Sequence, residues 1–202
     1  MSSRKPRRFV LAAAAASVAL LTTATPASAH VFVGDGGPGA GFIHPLTGFD
    51  HLLAMYAVGL LSAALGGRAV WTVPAAFVLA MVGGGVLGMA PVFLPGAELG
   101  VTLSVILLGA ALARGPNLPV RGALLAAAVF GTFHGYVHGL EMPRVSSPAL
   151  YVVGFVAATA GLHVLGALSG LLMQCRTSGA TWLRAGGAVI ACAGFFLLLR
   201  LR

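Results

Sequence analysis

Six long apolar stretches joined by short links are the feature that most constrains this chain. They lie near residues 43–65, 69–90, 97–113, 120–140, 148–172 and 180–199. Each is close to the ~20 residues that a helix needs to cross a bilayer. Because the links are short, neighbouring helices must run antiparallel. The sequence therefore predicts an all-α, polytopic membrane protein in which residues 43–202 form a six-helix transmembrane domain.

The charge content agrees with this interpretation. Only 8% of the residues are charged and 58% are hydrophobic, whereas soluble domains carry about 25% charged residues. Four of the 12 basic residues fall within the first eight positions, and the others are spread along the chain. A nucleic-acid-binding protein would show a clustered basic face instead. We therefore expect the lipid bilayer, and not a nucleic acid, to surround this protein.

Residues 1–29 have the pattern of an export signal. A basic start leads into the apolar run Phe9–Leu21 and then to the small residues Ala27-Ser28-Ala29, which form an A-x-A cleavage signature. An uncleaved first transmembrane helix is the alternative. Cleavage would make His30 the first residue of the mature chain, and the glycine-rich residues 30–42 are predicted to be a flexible extracytoplasmic N-terminus.

The arginines in the links indicate the orientation in the cell (inner) membrane. Cytoplasmic links carry an excess of basic residues. With the mature N-terminus outside, the cytoplasmic links hold Arg68, Arg114, Arg121, Arg176 and Arg184, and the outer side holds Arg144, Arg200 and Arg202. We therefore predict that both the mature N-terminus and the C-terminus lie outside.

Two dense motifs hold four of the six histidines. The first stretch contains His44-Pro45-Leu46-Thr47-Gly48-Phe49-Asp50-His51, and the fourth contains His134-Gly135-Tyr136-Val137-His138-Gly139-Leu140-Glu141. A single buried histidine is often only a packing residue bonded to a carbonyl. Four histidines with carboxylates in two motifs indicate a functional site, because ionisable groups inside a membrane are costly.

Helical spacing places each set of candidate ligands on one stripe. In the fourth stretch, His134, His138 and Glu141 are four and three residues apart. In the first stretch, an unbroken helix would place five residues on one face: His44, Thr47, Gly48, His51 and Met55. With antiparallel helices, both motifs lie in the outer half of the membrane. The sequence thus predicts one shared site for a divalent metal ion.

Imidazole and carboxylate groups together suit nickel, cobalt and zinc, whereas magnesium and calcium prefer oxygen ligands alone. The α-amine and imidazole of His30 would chelate such an ion after cleavage, although His30 is equally explained as the residue that a peptidase leaves behind. His163 is either a lower station on an ion path or a packing residue. Glu98 lies near the outer mouth, where it either attracts cations or faces water.

The two motifs, HPLTGFDHLLAM and HGYVHGLE, resemble those of the HupE/UreJ family of bacterial membrane proteins. The resemblance covers nearly the full chain. It implies a nickel or cobalt permease or accessory protein associated with hydrogenase and urease. It also implies metal binding by His44, Asp50, His51, His134, His138 and Glu141, and it adds His30 as a histidine near the mature N-terminus.

Three classes of function are compatible with these features. The leading one is a permease that moves nickel, with cobalt as the second candidate, into the cell to support hydrogenase or urease maturation. The alternatives are a metal-binding accessory protein that does not transport and an intramembrane metallohydrolase with a bound zinc. No Walker motif is present in the sequence, so this chain is not expected to hydrolyse a nucleotide. We expect no organic cofactor and no enzymatic activity, and the sequence does not set the oligomeric state.

Overall fold

The computed structural model describes residues 37–115, 118–142 and 147–201. These residues form seven helices and no β-strand: α1 (Pro38–Thr47), α2 (Phe49–Leu65), α3 (Ala69–Met89), α4 (Ala97–Arg114), α5 (Val120–Leu140), α6 (Pro148–Gln174) and α7 (Gly179–Leu198). The all-α fold class is confirmed. The expected signal peptide and the candidate ligand His30 lie outside the described residues.

Helices α3 to α7 are each long and apolar enough to cross a membrane. Their ends lie within two residues of the boundaries expected from the sequence. Helices α1 and α2 are long and apolar enough to cross a membrane only when they are taken together. The chain is therefore a multi-pass membrane protein with five regular spans and one bent helix pair.

Residues 43–65, which were expected to form one helix, are divided between α1 and α2. The axis bends by 87° between α1 and α2, at Gly48, which has an extended backbone (φ −81°, ψ 110°). The Asp50 carboxylate accepts the backbone N–H of His51 at 2.8 Å. It thereby satisfies a donor that a helix start leaves unpaired and places negative charge at the positive end of α2. Because of this break, His44 and His51 lie on different helices and do not share one helical face.

Residues 38–42, which were expected to belong to the flexible N-terminus, are instead helical, because α1 begins at Pro38. Gly41 on α1 and Gly154 on α6 allow the backbones of the two helices to pack directly against each other. A Cβ atom at Gly41 would overlap the carbonyl of Tyr151, and one at Gly154 would overlap the carbonyl of Pro38. Glycine lowers helix propensity, but this close packing stabilises the helix.

Small residues bring the spans together in three close pairs. Gly131, Gly135 and Gly139 repeat every four residues on α5 and form a groove in which α3 packs. A Cβ at any of the three would overlap a backbone carbonyl of α3. The other two pairs are α4 with α7, through Gly109 and Gly187, and α2 with α6, through Gly59 and Gly166.

Tyr136 ties the link between α3 and α4 to α5. Its hydroxyl donates to the carbonyl of Val92 at 2.7 Å and accepts the N–H of Leu94 at 3.0 Å. This link leads directly into α4, whose first turn carries Glu98. The start of α4 is therefore held beside the end of α5, where the second histidine motif lies.

Candidate metal site

The two histidine motifs meet in one cluster, as the antiparallel topology predicted. His44 Nε2 lies 3.0 Å from His138 Nδ1. The ring centre of His51 lies 4.1 Å from that of His138 and 4.8 Å from that of His134. Helices α1, α2 and α5 thus each contribute imidazoles to the same small volume.

A carboxylate sets the tautomer of His51. Asp50 Oδ1 lies 2.6 Å from His51 Nδ1, and an ionised carboxylate only accepts hydrogen bonds. Nδ1 must therefore carry the proton, which leaves a lone pair on Nε2. A carboxylate that orients the distal nitrogen of a histidine is the usual partner of metal-ligating histidines.

A serine sets the tautomer of His134. The Ser104 hydroxyl donates its one proton to the carbonyl of Val101 at 2.6 Å. It must then accept the Nε2–H of His134, which lies 2.9 Å away. This network assigns the lone pair of His134 to Nδ1. Ser104 lies on α4, and no spacing in the sequence linked it to either motif.

Three ring nitrogens in the cluster are buried without a hydrogen-bond partner among the described residues: His51 Nε2, His134 Nδ1 and His138 Nε2. Leaving a buried polar atom unpaired costs about 1–3 kcal/mol. In the first two rings the unpaired atom is the one to which the network assigns the lone pair. The cluster thus presents imidazole donors that the described part of the protein does not use, which suits a divalent metal ion.

A second donor group, named here the outer group, lies at the end of the cluster nearer the cavity. Donor atoms of His44, His138 and Glu141 all fall within 4.8 Å of one another. His138 belongs to both groups, so the candidate site is elongated. Glu141 caps the end of α5, where its N–H bonds to the carbonyl of Val137.

The outer group borders a cavity of about 220 Å³. Its polar wall is formed by His44, Thr47, Asp50, His51, Glu98, Thr102, His138 and Glu141. Three of the four acids of the chain therefore face the same cavity as the histidines. Negative charge around a narrow opening raises the local concentration of cations.

The positions of the expected ligands can now be compared with the sequence analysis. The structure brings His44, His51, His134, His138 and Glu141 together. Asp50 is also there, but its Oδ1 binds His51, so it is placed to orient a ligand. The predicted ligand set omitted Glu98, although this acid was noted near the outer mouth, and it omitted Ser104.

His163 approaches the cluster of motif histidines through Phe77. It lies on α6, and its ring is 5.2 Å from that of Phe77, which in turn lies 5.4 Å from the ring of His134. The Phe77 ring therefore packs against both His163 and His134. The two readings of His163 made from the sequence, path station or packing residue, both remain compatible with this position.

Comparison with known proteins adds two matches. The family described as HupE / UreJ protein matches residues 18–197. Protein HupE of Rhizobium leguminosarum bv. viciae is 43% identical over 182 residues, which is 89% of this chain and 95% of that protein. No solved structure matches this chain.

Proposed function

This chain belongs to the HupE/UreJ family, and we propose that it is a permease that carries nickel, or alternatively cobalt, into the cell. The sequence resemblance associates such proteins with hydrogenase and urease, so the imported ion would serve the maturation of one of these enzymes. The alternative is an accessory protein that binds the metal without transporting it. Both hypotheses give the chain a role in handling nickel or cobalt.

The observation that carries this proposal is the set of three buried, unpaired imidazole nitrogens beside an acid-lined cavity. A site that only stabilised the fold would have its polar atoms paired. The unpaired donors instead suit an ion that arrives from the cavity and leaves again. Borderline divalent metals such as nickel and cobalt prefer imidazole nitrogen, and we take them to be the substrate.

The two ends of the bundle differ in charge, which supports one orientation in the membrane. The cavity is bordered by the α1–α2 junction, the start of α4 and the end of α5. The opposite ends of these and the neighbouring spans carry Arg68, Arg114, Arg121, Arg176 and Arg184. Because basic residues favour the cytoplasmic side, we propose that the cavity opens to the outside and that the mature N-terminus is extracytoplasmic.

The test is uptake of Ni²⁺, Co²⁺ and Zn²⁺, measured side by side in proteoliposomes that contain the purified protein and a metal-sensitive dye. The parent should take up Ni²⁺ or Co²⁺. His51→Ala and His138→Ala should reduce uptake to the background, because each removes a nitrogen donor that no neighbour replaces. His51→Gln and His138→Gln, which retain most of the side-chain volume, should fail in the same way.

Thr132→Ala is the matched control, because Thr132 lies on α5 and, within the described part of the chain, its hydroxyl bonds only to the carbonyl of Ala128 in the same helix. This variant should transport like the parent. Normal uptake by both histidine variants would refute the proposal. A parent that binds Ni²⁺ tightly but moves none would identify the accessory protein instead.

A further inference from the structure

His163 is buried in the middle of the bundle without a polar contact. Only 2% of its surface is exposed, and neither ring nitrogen has a hydrogen-bond partner among the described residues. Buried imidazoles are normally paired, because an unpaired polar group costs free energy. Leucine would fill the same space without the free-energy cost of an unpaired polar group. Packing alone therefore does not explain a histidine at this position.

The position of His163 is deeper than that of the cluster. His163 packs against Phe77, with ring centres 5.2 Å apart. Phe77 precedes Met81 by one turn on α3, and the Met81 carbonyl lies against Gly135, the residue after His134. Because α3 runs towards the end of the bundle at which the cavity opens, Phe77 and His163 lie about one helical turn, or about 5 Å, deeper than His134.

Two further donors lie one helical turn away from His163 and Phe77. Thr159 precedes His163 by four residues on α6, and Met81 follows Phe77 by four residues on α3. The Thr159 hydroxyl lies 3.9 Å from the Met81 sulfur, and both side chains are buried. The facing stripes of α3 and α6 therefore hold a thioether and a hydroxyl one turn nearer the acid-lined cavity than the unpaired imidazole of His163.

There is also space beside His163. A cavity of about 260 Å³ borders His163; its other lining residues are apolar and include Val70 and Trp71 from the first turns of α3. These turns belong to the end of the bundle that is opposite the acid-lined cavity. The imidazole thus borders both the Phe77 ring and this cavity.

We propose that His163 is a second, inner binding station for the divalent ion, with Met81 and Thr159 as additional donors. The ion passes from the motif histidines to His163 beside the Phe77 ring, which contacts both His134 and His163. Nitrogen and thioether donors hold a borderline ion such as Co²⁺ or Ni²⁺ and disfavour Mg²⁺ and Ca²⁺. This inference rests on the proposed function, because it assumes that the motif histidines load such an ion.

The experiment compares His163→Leu and His163→Met with the parent. Two quantities are measured with Co²⁺: the initial rate of uptake into proteoliposomes and the number of ions bound per chain at equilibrium. His163→Leu should lower the uptake rate by about tenfold or more, the usual scale for losing a group that supports a metal site. Its outer site should keep the parental affinity, and it should bind one Co²⁺ fewer at saturation. His163→Met retains a soft donor and should recover part of the rate.

Leu162→Ala is the control for packing, because Leu162 is the buried neighbour of His163 and carries no donor atom. It should transport at close to the parental rate. The inference is overturned if His163→Leu transports like the parent, if Leu162→Ala is slowed equally, or if His163→Met is no faster than His163→Leu. If the parent moves no metal, the proposed function fails, and the Co²⁺ count alone decides: one ion fewer in His163→Leu supports the station, and an equal count overturns it.

Discussion

At the scale of single residues, the rings of His51 and His134 have the same hydrogen-bonding pattern, although their partners differ. In each ring one nitrogen donates a hydrogen bond, to Asp50 in the first case and to Ser104 in the second, and the other nitrogen is unpaired. The partner therefore selects the tautomer and the ring orientation before an ion arrives. Such preorganisation lowers the cost of binding, because less freedom is lost when the ion enters.

Ser104→Ala tests this arrangement. It leaves the Nε2–H of His134 without an acceptor and releases the ring, so the affinity for Ni²⁺ should fall by about tenfold, the lower end of the range for losing an orienting partner. Ser104→Thr retains the hydroxyl and should retain most of the affinity. Equilibrium dialysis with the purified protein measures both values.

Ser62→Ala is the matched control for this prediction. Ser62 is also fully buried, but its hydroxyl bonds only to the carbonyl of Gly59 in its own helix. Its affinity for Ni²⁺ should equal that of the parent. Equal losses in Ser62→Ala and Ser104→Ala would mean that the serine acts on the fold and not on His134.

At the scale of helices, the site depends on how closely α5 approaches α3. Gly135 follows His134 directly. A Cβ atom at Gly135 would overlap the carbonyl oxygen of Met81 on α3 and would lie 2.6 Å from the Met81 carbonyl carbon. Neither atom is the end of a flexible side chain, so the two helices would have to move apart. The imidazoles on α5 would move with their helix.

Gly135→Ala should therefore destabilise the protein by about 1–3 kcal/mol, as overpacking does in other cores, and should weaken Ni²⁺ binding. Gly83→Ala on α3 is the control, since a Cβ there meets nothing within 4 Å. Alanine also has the higher helix propensity, so Gly83→Ala should be neutral or slightly stabilising. Thermal unfolding in detergent measures both variants, and equal stability of the two would contradict the packing argument.

At the scale of the whole molecule, the candidate site joins helices that are distant in the chain. His44, His51 and His138 come from α1, α2 and α5, and the break at Gly48 lies between the first two. An ion held by these residues would connect the bent helix pair to the rest of the bundle. Binding should therefore stabilise the entire fold and not only one segment.

We expect Ni²⁺ at roughly 100 times its Kd to stabilise the folded state by about 2.7 kcal/mol, through mass action alone. The measurement is the thermal unfolding of the purified protein with and without metal. Mg²⁺ should give no shift, because it prefers oxygen ligands. A Ni²⁺-dependent shift of the same size in His51→Ala would place the bound ion elsewhere.

The sequence by itself determined the class of fold, the ends of five spans and the approach of the two motifs. Hydrophobic length sets the ends of a membrane helix, and short links force antiparallel neighbours. These two constraints together place residues 44–51 and 134–141 at one end of the bundle. Both rest on local chemistry and chain length, which can be read without knowing any contact between helices.

The rest was decided by contacts between residues far apart in the chain. Gly41 packs against Tyr151 and Gly154 against Pro38, so that the glycine-rich α1 lies directly on α6. Ser104 binds His134 across 30 residues of sequence, and Phe77 packs against both His134 and His163. No periodicity within one helix identifies such partners, because the rotation of each helix about its axis is set by packing against its neighbours.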